Sequence, residues 1–297
     1  GSEGTLGIIT EAVLKVRPLP PETRYGSIAF PSFEAGVAFM REVALQRCAP
    51  ASLRLVDNEQ FQFGLALKPK SSSPLAPVID YLKRVYVTKI KGFEPSKICV
   101  ATMVFEGTKE DIDVHYKKIM GLAAERGGID GGPENGHRGY FLTFMIAYLR
   151  DFGMNYAFIA ESFETSVPWT NVEALCSAVK DRIRAECKKA GVAREPFVTS
   201  RVSLTYDSGA CVYFYFGFSW KGLADPVSTF TLVEEAARDE ILLLGGSLSH
   251  HHGVGKHRRK WLPEQISESG VAVLQGVKAA GDPLNVFANS NLLPPPA

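Results

Sequence analysis

The chain has 297 residues, 45% of them hydrophobic, with 33 Lys and Arg against 32 Asp and Glu for a net charge of +1. So even a balance sets up no long-range field to attract nucleic acid, and no nucleic-acid partner is expected. Five scattered cysteines (Cys48, Cys99, Cys176, Cys187 and Cys211) form no CxxC and no disulfide framework, and no apolar run reaches transmembrane length, which points to a reducing or non-secretory compartment.

The opening residues, Gly1 to Thr10, begin in mid-motif. Glycines at every third position followed by a β-branched run predict a tight turn leading into a strand, so the chain reads as starting inside an earlier domain. Tyr25 to Phe30 reads as a strand. Ser32 then caps a helix that runs to about Arg47 and is ended by Pro50. Ala51 to Asp57 is the returning strand, and Lys68 to Pro77 a Pro/Ser-rich loop. The pattern recurs at Ile98 to Phe105, with a helix from Thr108, whose capping box closes at Asp111, to the break at Gly127-Gly128. Gly127 to Gly139 reads as a glycine-rich loop.

Thr170 and Glu173 form a second capping box. Val172, Leu175, Val179, Ile183 and Cys187 stripe one face of the helix that follows, until Gly191 stops it. Phe197 to Tyr206 and Ala210 to Phe218 are strands joined at Asp207-Ser208-Gly209, a hairpin signal. Asp225-Pro226 starts a helix that ends at Gly245-Gly246. Helices packed on one mostly antiparallel sheet satisfy this order, so the expected class is α+β.

The segment Ser249-His250-His251-His252-Gly253-Val254-Gly255-Lys256 holds three of the chain's six histidines. Histidine exchanges protons near neutral pH, which makes the segment a candidate reaction centre. An expression tag, a metal site and a solvated loop are the plainer readings. Tags sit at termini. In an extended chain His250 and His252 face one way and could share an ion while His251 faces the other; no Cys or acidic pair lies nearby at ligand spacing, and no metal is expected. His251 then stands apart from its neighbours, with one face for chemistry and the other for anchoring.

The strand at 210–218 divides by face, with Val212, Phe214, Phe216 and Phe218 on one side and Cys211, Tyr213, Tyr215 and Gly217 on the other. The first set is a core face. The second presents two phenols, either packing residues with satisfied hydroxyls or, at Tyr213, a functional group. Arg54 sits inside the apolar run Ser52 to Val56, where it needs an ion pair, with Asp57 or Glu59, or an anionic ligand. Arg150 closes the apolar run Tyr140 to Leu149, as a cation suited to a helix C-terminus. Together the two arginines could clamp a phosphate or carboxylate.

Three segments carry a resemblance: Ala51 to Asn58, Tyr206 to Phe216 and Gly245 to Lys256. On these the chain resembles the C-terminal part of alkyldihydroxyacetonephosphate synthases, flavoproteins of the vanillyl-alcohol oxidase type; Gly1 to Gly7 is shared with the wider flavin family. The resemblance runs to about Leu293. It implies the tail of an FAD-binding domain at 1–20, a substrate domain with catalytic loops at 21–293, and a disordered tail at 294–297. The implied reaction exchanges the acyl group of acyl-dihydroxyacetone phosphate for a long-chain fatty alcohol. FAD is the implied cofactor, its N5 holding the substrate carbon covalently with no net redox change.

Tyr213, with His250, His251 and His252, would handle protons, Arg150 would bind substrate and Arg54 would organise the site. Glu3, Gly4, Thr5, Leu6, Gly7, Ile8 and Ile9 would contact FAD. Asn289, Ser290, Asn291, Leu292 and Leu293 would close the site. The resemblance further implies a homodimer, peripheral membrane association and a peroxisomal location, and a chain that by itself binds FAD poorly. His137 stands where the resemblance expects glutamine. A D-lactate type 2-hydroxy-acid dehydrogenase and an inactive binding module are the alternatives.

Overall fold

A computed structural model describes residues 1–68, 75–288 and 290–293. In chain order the elements are β1 (Glu22–Phe30), α1 (Phe33–Leu45), β2 (Ser52–Val56), α2 (Asn58–Ala66), α3 (Ala76–Val85), β3 (Cys99–Gly107), α4 (Lys109–Ala124), β4 (Ile129–Asp130), α5 (Pro133–Met154), β5 (Phe158–Pro168), α6 (Val172–Lys189), β6 (Phe197–Thr205), β7 (Gly209–Ser219), α7 (Pro226–Leu243) and α8 (Leu262–Gly281). The described strands form one seven-stranded sheet in the order β4-β1-β3-β2-β6-β7-β5. Every pairing is antiparallel, as the α+β reading expects.

The two faces of the sheet differ because the strands alternate. Ile28, Phe30, Leu53, Leu55, Met103, Phe105, Phe163, Val212, Phe214 and Phe216 all point to one face and are buried there with apolar residues of α1, α4, α6 and α7. Burying each large side chain of this kind contributes about 1.5–3 kcal/mol, so a one-residue slip in any central strand would forfeit several such terms at once. Ser32 caps α1 by accepting the Ala35 N–H at 3.3 Å, and Thr108 caps α4 by accepting that of Asp111 at 3.2 Å.

The other face is covered by α2, α5 and a small apolar cluster of Phe93, Ile98 and Val100. Helix α5 comes close to the sheet because it carries glycine where it touches: a Cβ on Gly136 would lie 2.3 Å from the Gly26 carbonyl oxygen, and one on Gly139 would lie 2.6 Å from Thr102 Cγ2. The rest of this face is left to polar side chains and the histidine segment.

Four local expectations are corrected. Gly127 to Gly139 is not a loop throughout, since it holds β4 and the start of α5. Pro133 opens that helix at a position that needs no N–H. Helix α5 runs on to Met154, so Arg150 lies inside it and does not end it. Thr170 does not cap α6; Trp169–Asn171 is a 3-10 turn, and the Asn171 side chain donates instead to the Leu244 carbonyl at 3.1 Å. Finally, the turn at the opening leads into no strand. Residues 7–20 carry no strand pairing among the described residues, and Ile9 is 87% exposed. A β-branched run becomes a strand only where a partner supplies the ladder. The expected loop at 68–77 lies partly outside the described residues, as does the tail at 294–297.

Candidate active site

One row across the sheet sets the site. Val56 on β2 faces Arg201 on β6, Arg201 faces Tyr213 on β7, and Tyr213 faces Glu164 on β5. Directly opposed residues of an antiparallel pair share a face, so Arg201, Tyr213 and Glu164 all stand on the side away from the main core. The Arg201 guanidinium lies 5.0 Å from the Tyr213 ring centre and 5.1 Å from that of Tyr215, beneath two phenols that stack at 6.0 Å. Burial, then the neighbouring Tyr215, pushes the Tyr213 phenol up to about 12, and Arg201 works against that rise.

The histidine segment reaches this row through the end of α7. Gly245, at φ +76, closes the helix, and Ser247 then ties the chain to β5: its N–H donates to the Ser166 carbonyl at 2.8 Å, and its carbonyl accepts from the Thr165 hydroxyl at 2.6 Å. The chain next curls around Glu164. The main-chain N–H groups of His250, His251 and His252 donate to the Glu164 carboxylate at 2.5, 3.1 and 2.9 Å, and the Ser249 hydroxyl donates at 2.7 Å. Glu164 is fully buried. Burial alone would raise its carboxyl, but these four donors outweigh it and hold the group down at about 2. Buried Arg238 donates to the carbonyls of Glu164 and Leu248 at 3.1 and 3.0 Å, fastening strand to loop.

Curling amides inward turns the three rings outward together. The expectation that His251 faces away from its neighbours is therefore corrected, because it assumed an extended chain and the carboxylate bends the chain. The His251 ring lies 5.0 Å from that of His250 and 4.6 Å from that of His252. His251 Nε2 is 2.5 Å from the Tyr213 hydroxyl, and the Nδ1 atoms of His250 and His251 are 2.8 Å apart. His250 Nε2 is 2.8 Å from the Tyr206 hydroxyl. Burial holds His252 below the ordinary imidazole range, against the pull of Glu164.

A second carboxylate holds the other half of the loop. Glu3 accepts the N–H groups of Val254 and Gly255 at 2.6 and 2.7 Å. The Glu3 carbonyl takes the Asn291 side-chain amide at 2.9 Å, and the Leu292 N–H donates to the Gly255 carbonyl at 3.2 Å. The Ser290 carbonyl accepts from Arg259 at 2.6 Å. The chain's two ends and the histidine loop thus meet at one place, with Leu293 at the end of this segment and Asn289 outside the described residues. Gly1 to Gly4, Gly7 to Ile9 and Val286 to Ala288 line a cavity of about 600 Å³. Thr5, buried, closes the turn by donating to the Ser2 carbonyl at 2.6 Å, whereas Leu6 is exposed.

The two expected arginines do not meet. Arg54 does not pair with Asp57 or Glu59, which are held by Lys180 at 3.0 and 3.4 Å. Its guanidinium lies 5.1 Å from the Tyr140 ring centre on α5. Arg150 is ten residues farther along that helix, roughly 15 Å at helical rise, and pairs with Asp151 and Glu161 at 3.5 and 3.6 Å. Arg201 is one neighbour of Arg54, and burial together with that second cation lowers the pKa of the Arg54 guanidinium. Arg201 and Glu164 are the main residues that the sequence reading missed. Each carries the signal that drew attention to Arg54, a charge inside an apolar strand pattern.

Glu164, Cys211, His250 and His251 bring ligand-type atoms within 4.8 Å of one another. Both Glu164 oxygens already take hydrogen-bond donors, and burial pushes the Cys211 thiol up to about 11, so this geometry leaves a cation few free lone pairs.

A family model described as FAD linked oxidases, C-terminal domain, matches residues 19–292. An alkyldihydroxyacetonephosphate synthase of Caenorhabditis elegans is 50% identical over 293 residues, which cover 99% of this chain and 49% of the relative. The Dictyostelium discoideum protein of the same name is 28% identical, with 99% and 48% covered. A solved structure of an alkyldihydroxyacetonephosphate synthase superposes with a TM-score of 0.74 at 25% identity, covering 96% of this chain and 48% of that one. The chain spans about half the length of the curated relatives it matches.

Proposed function

The chain belongs to the family of FAD-linked oxidase C-terminal domains, and from that premise we propose that it forms the substrate half of an ether-lipid enzyme that exchanges the acyl group of acyl-dihydroxyacetone phosphate for a long-chain fatty alcohol. Its likeness to the Caenorhabditis elegans synthase supports this reading. The observation that carries it is the Tyr213–His251 contact at 2.5 Å, set above the Arg201 guanidinium.

The exchange breaks the bond between substrate carbon and acyl oxygen and makes one to the alcohol oxygen. Bound FAD would supply the nucleophilic N5 that holds the carbon between these events, with no net redox change. The cavity lined by residues 1–4, 7–9 and 286–288 suits a flat ring, since no side chain at Gly4 or Gly7 fills it. Tyr213 takes and returns protons at its hydroxyl, with His251 as its immediate partner. Arg54 and Arg201 offer paired positive charge to the phosphate or the departing carboxylate. Arg150, exposed near the end of α5, meets the substrate from outside, and residues 290–293 close the site.

Peripheral membrane association, a homodimer and a peroxisomal location complete the proposal. Exposed Phe141, Phe144, Tyr148 and Phe152 on α5 suit a lipid-facing surface, and no helix among the described residues is long and apolar enough to cross a membrane. The test is reconstitution of the whole protein with FAD and transfer of labelled hexadecanol into acyl-dihydroxyacetone phosphate. Label in the ether product supports the reading. Lactate-driven flavin reduction without exchange would replace it with a 2-hydroxy-acid dehydrogenase, and neither activity would leave a binding module.

A further inference from the structure

We propose that Tyr213, His251, His250 and Tyr206 form a proton relay between the reacting centre and solvent, with Tyr206 as its outer end and His252 outside the path. The inference rests on Tyr213 being the acid/base group of the exchange described above.

The geometry is continuous. Tyr213 to His251 Nε2 is 2.5 Å, His251 Nδ1 to His250 Nδ1 is 2.8 Å, and His250 Nε2 to the Tyr206 hydroxyl is 2.8 Å. An imidazole has two ring nitrogens, and both nitrogens of His250 and of His251 are occupied by members of this chain. A proton that enters His251 at Nε2 therefore leaves at Nδ1, and the next acceptor is His250. His251 is itself exposed, but water can take its proton only by displacing one of these partners. Tyr206 is 45% exposed and so can deliver to water. Its main chain is pinned, with its N–H on the Gly209 carbonyl at 2.8 Å and its carbonyl accepting from Trp169 Nε1 at 2.8 Å. The histidine main chain is fixed by Glu164. His252 is not a member, since its Nδ1 points toward Glu164 at 3.7 Å.

The step balances. The Tyr213 proton bonds to His251 Nε2, the His251 Nδ1 proton passes to His250 Nδ1, the His250 Nε2 proton passes to the Tyr206 oxygen, and the Tyr206 proton goes to water. One proton has crossed, both imidazoles remain neutral with their tautomers reversed, and the same chain run backwards restores Tyr213. The exchange needs such an exit, because the alcohol enters carrying a proton and the fatty acid leaves as its carboxylate. Each turnover thus releases one proton.

Two measurements on the whole protein test the relay. Tyr206→Phe removes the outer hydroxyl and is expected to lower kcat about ten-fold in dilute buffer with KM unchanged, the loss being restored by added imidazole, to which the unmodified protein is indifferent. A Tyr206→Phe protein at full rate in dilute buffer, or a loss that imidazole does not restore, overturns the relay. The second readout needs no activity and no variant that must fold. Nitrogen-15 NMR of the histidine rings is expected to find His250 and His251 in opposite neutral tautomers, one protonated at Nδ1 and the other at Nε2, and matching tautomers overturn the relay. If the unmodified protein performs no exchange, the proposed function fails, and the tautomers still decide whether the hydrogen-bonded chain exists.

Discussion

Glu164 and Tyr213 face each other across the β5–β7 pair, yet their side chains serve opposite sides of one loop. The Glu164 carboxylate takes the main-chain N–H groups of all three histidines, and the Tyr213 hydroxyl takes one of their rings. The sheet register thereby fixes both the backbone and the chemistry of the segment.

Replacing Glu164 with Gln puts an amide N–H₂ against N–H donors. It is expected to cost about 2–4 kcal/mol of stability in denaturant unfolding and to speed hydrogen exchange at His250, His251 and His252. Asp at the same position, an acceptor one methylene shorter, should recover part of both. Unchanged exchange at these amides would remove the template role.

The same carboxylate gives a pH signature. Its pKa is depressed from 4.5 to about 2 in the folded chain, so the stabilisation it contributes is fully present above about pH 4.5. It is lost as the pH falls through the folded value, and the shift corresponds to about 3 kcal/mol. Unfolding midpoints measured across this window should fall toward acid less steeply in the Gln variant than in the native chain. Parallel curves would show that another group sets the slope.

Gly253 sits at φ +85, and a Cβ there would lie 2.7 Å from Glu3 Oε1. Gly253→Ala should cost about 1–3 kcal/mol through backbone strain and should push Glu3 off the loop. Limited proteolysis is then expected to cut within the first ten residues faster than in the native chain. Equal cleavage rates would mean that Glu3 does not fasten the N-terminal segment.

Arg201 works against the rise of the Tyr213 phenol. Arg201→Gln should raise that phenol further, seen as a later tyrosinate absorbance step in an alkaline titration against a Tyr213→Phe control. No displacement of the step would separate the guanidinium from the phenol.

Among the described residues, the ion pairs of Arg150 are exposed. Arg150→Ala should therefore change stability by less than about 1 kcal/mol while raising the KM for the acyl substrate in the whole protein. A large loss of stability would reassign it to structure.

Much of this protein can be read along the chain. Ser32 and Thr108 cap the helices expected of them, Asp207-Ser208-Gly209 joins the expected hairpin, and the Phe214 and Tyr213 faces separate as alternation requires. These features depend on hydrogen bonds and side-chain periods that span a few residues, so local sequence suffices. The failures mark where it does not. The β-branched run Ile8-Ile9-Thr10 has strand composition but no strand pairing among the described residues, because a ladder needs a partner. Arg54 interrupts one apolar run and Arg150 closes another, which suggests a pair along the chain, but helical rise carries them apart, and the β2–β6 pairing at Val56 and Arg201 brings Arg201 near Arg54.

The sequence by itself determined the sheet class, the two-faced strand and the concentration of histidines beside a tyrosine strand. Only the tertiary structure decided how the three rings point. The loop's direction is set by a carboxylate 86 residues away, and that carboxylate is brought there by the β5–β7 register. Nothing in the spacing of Ser249 to Gly255 encodes that register. It is fixed by the phenylalanines on the opposite face, whose burial would be lost with a slip of a single residue.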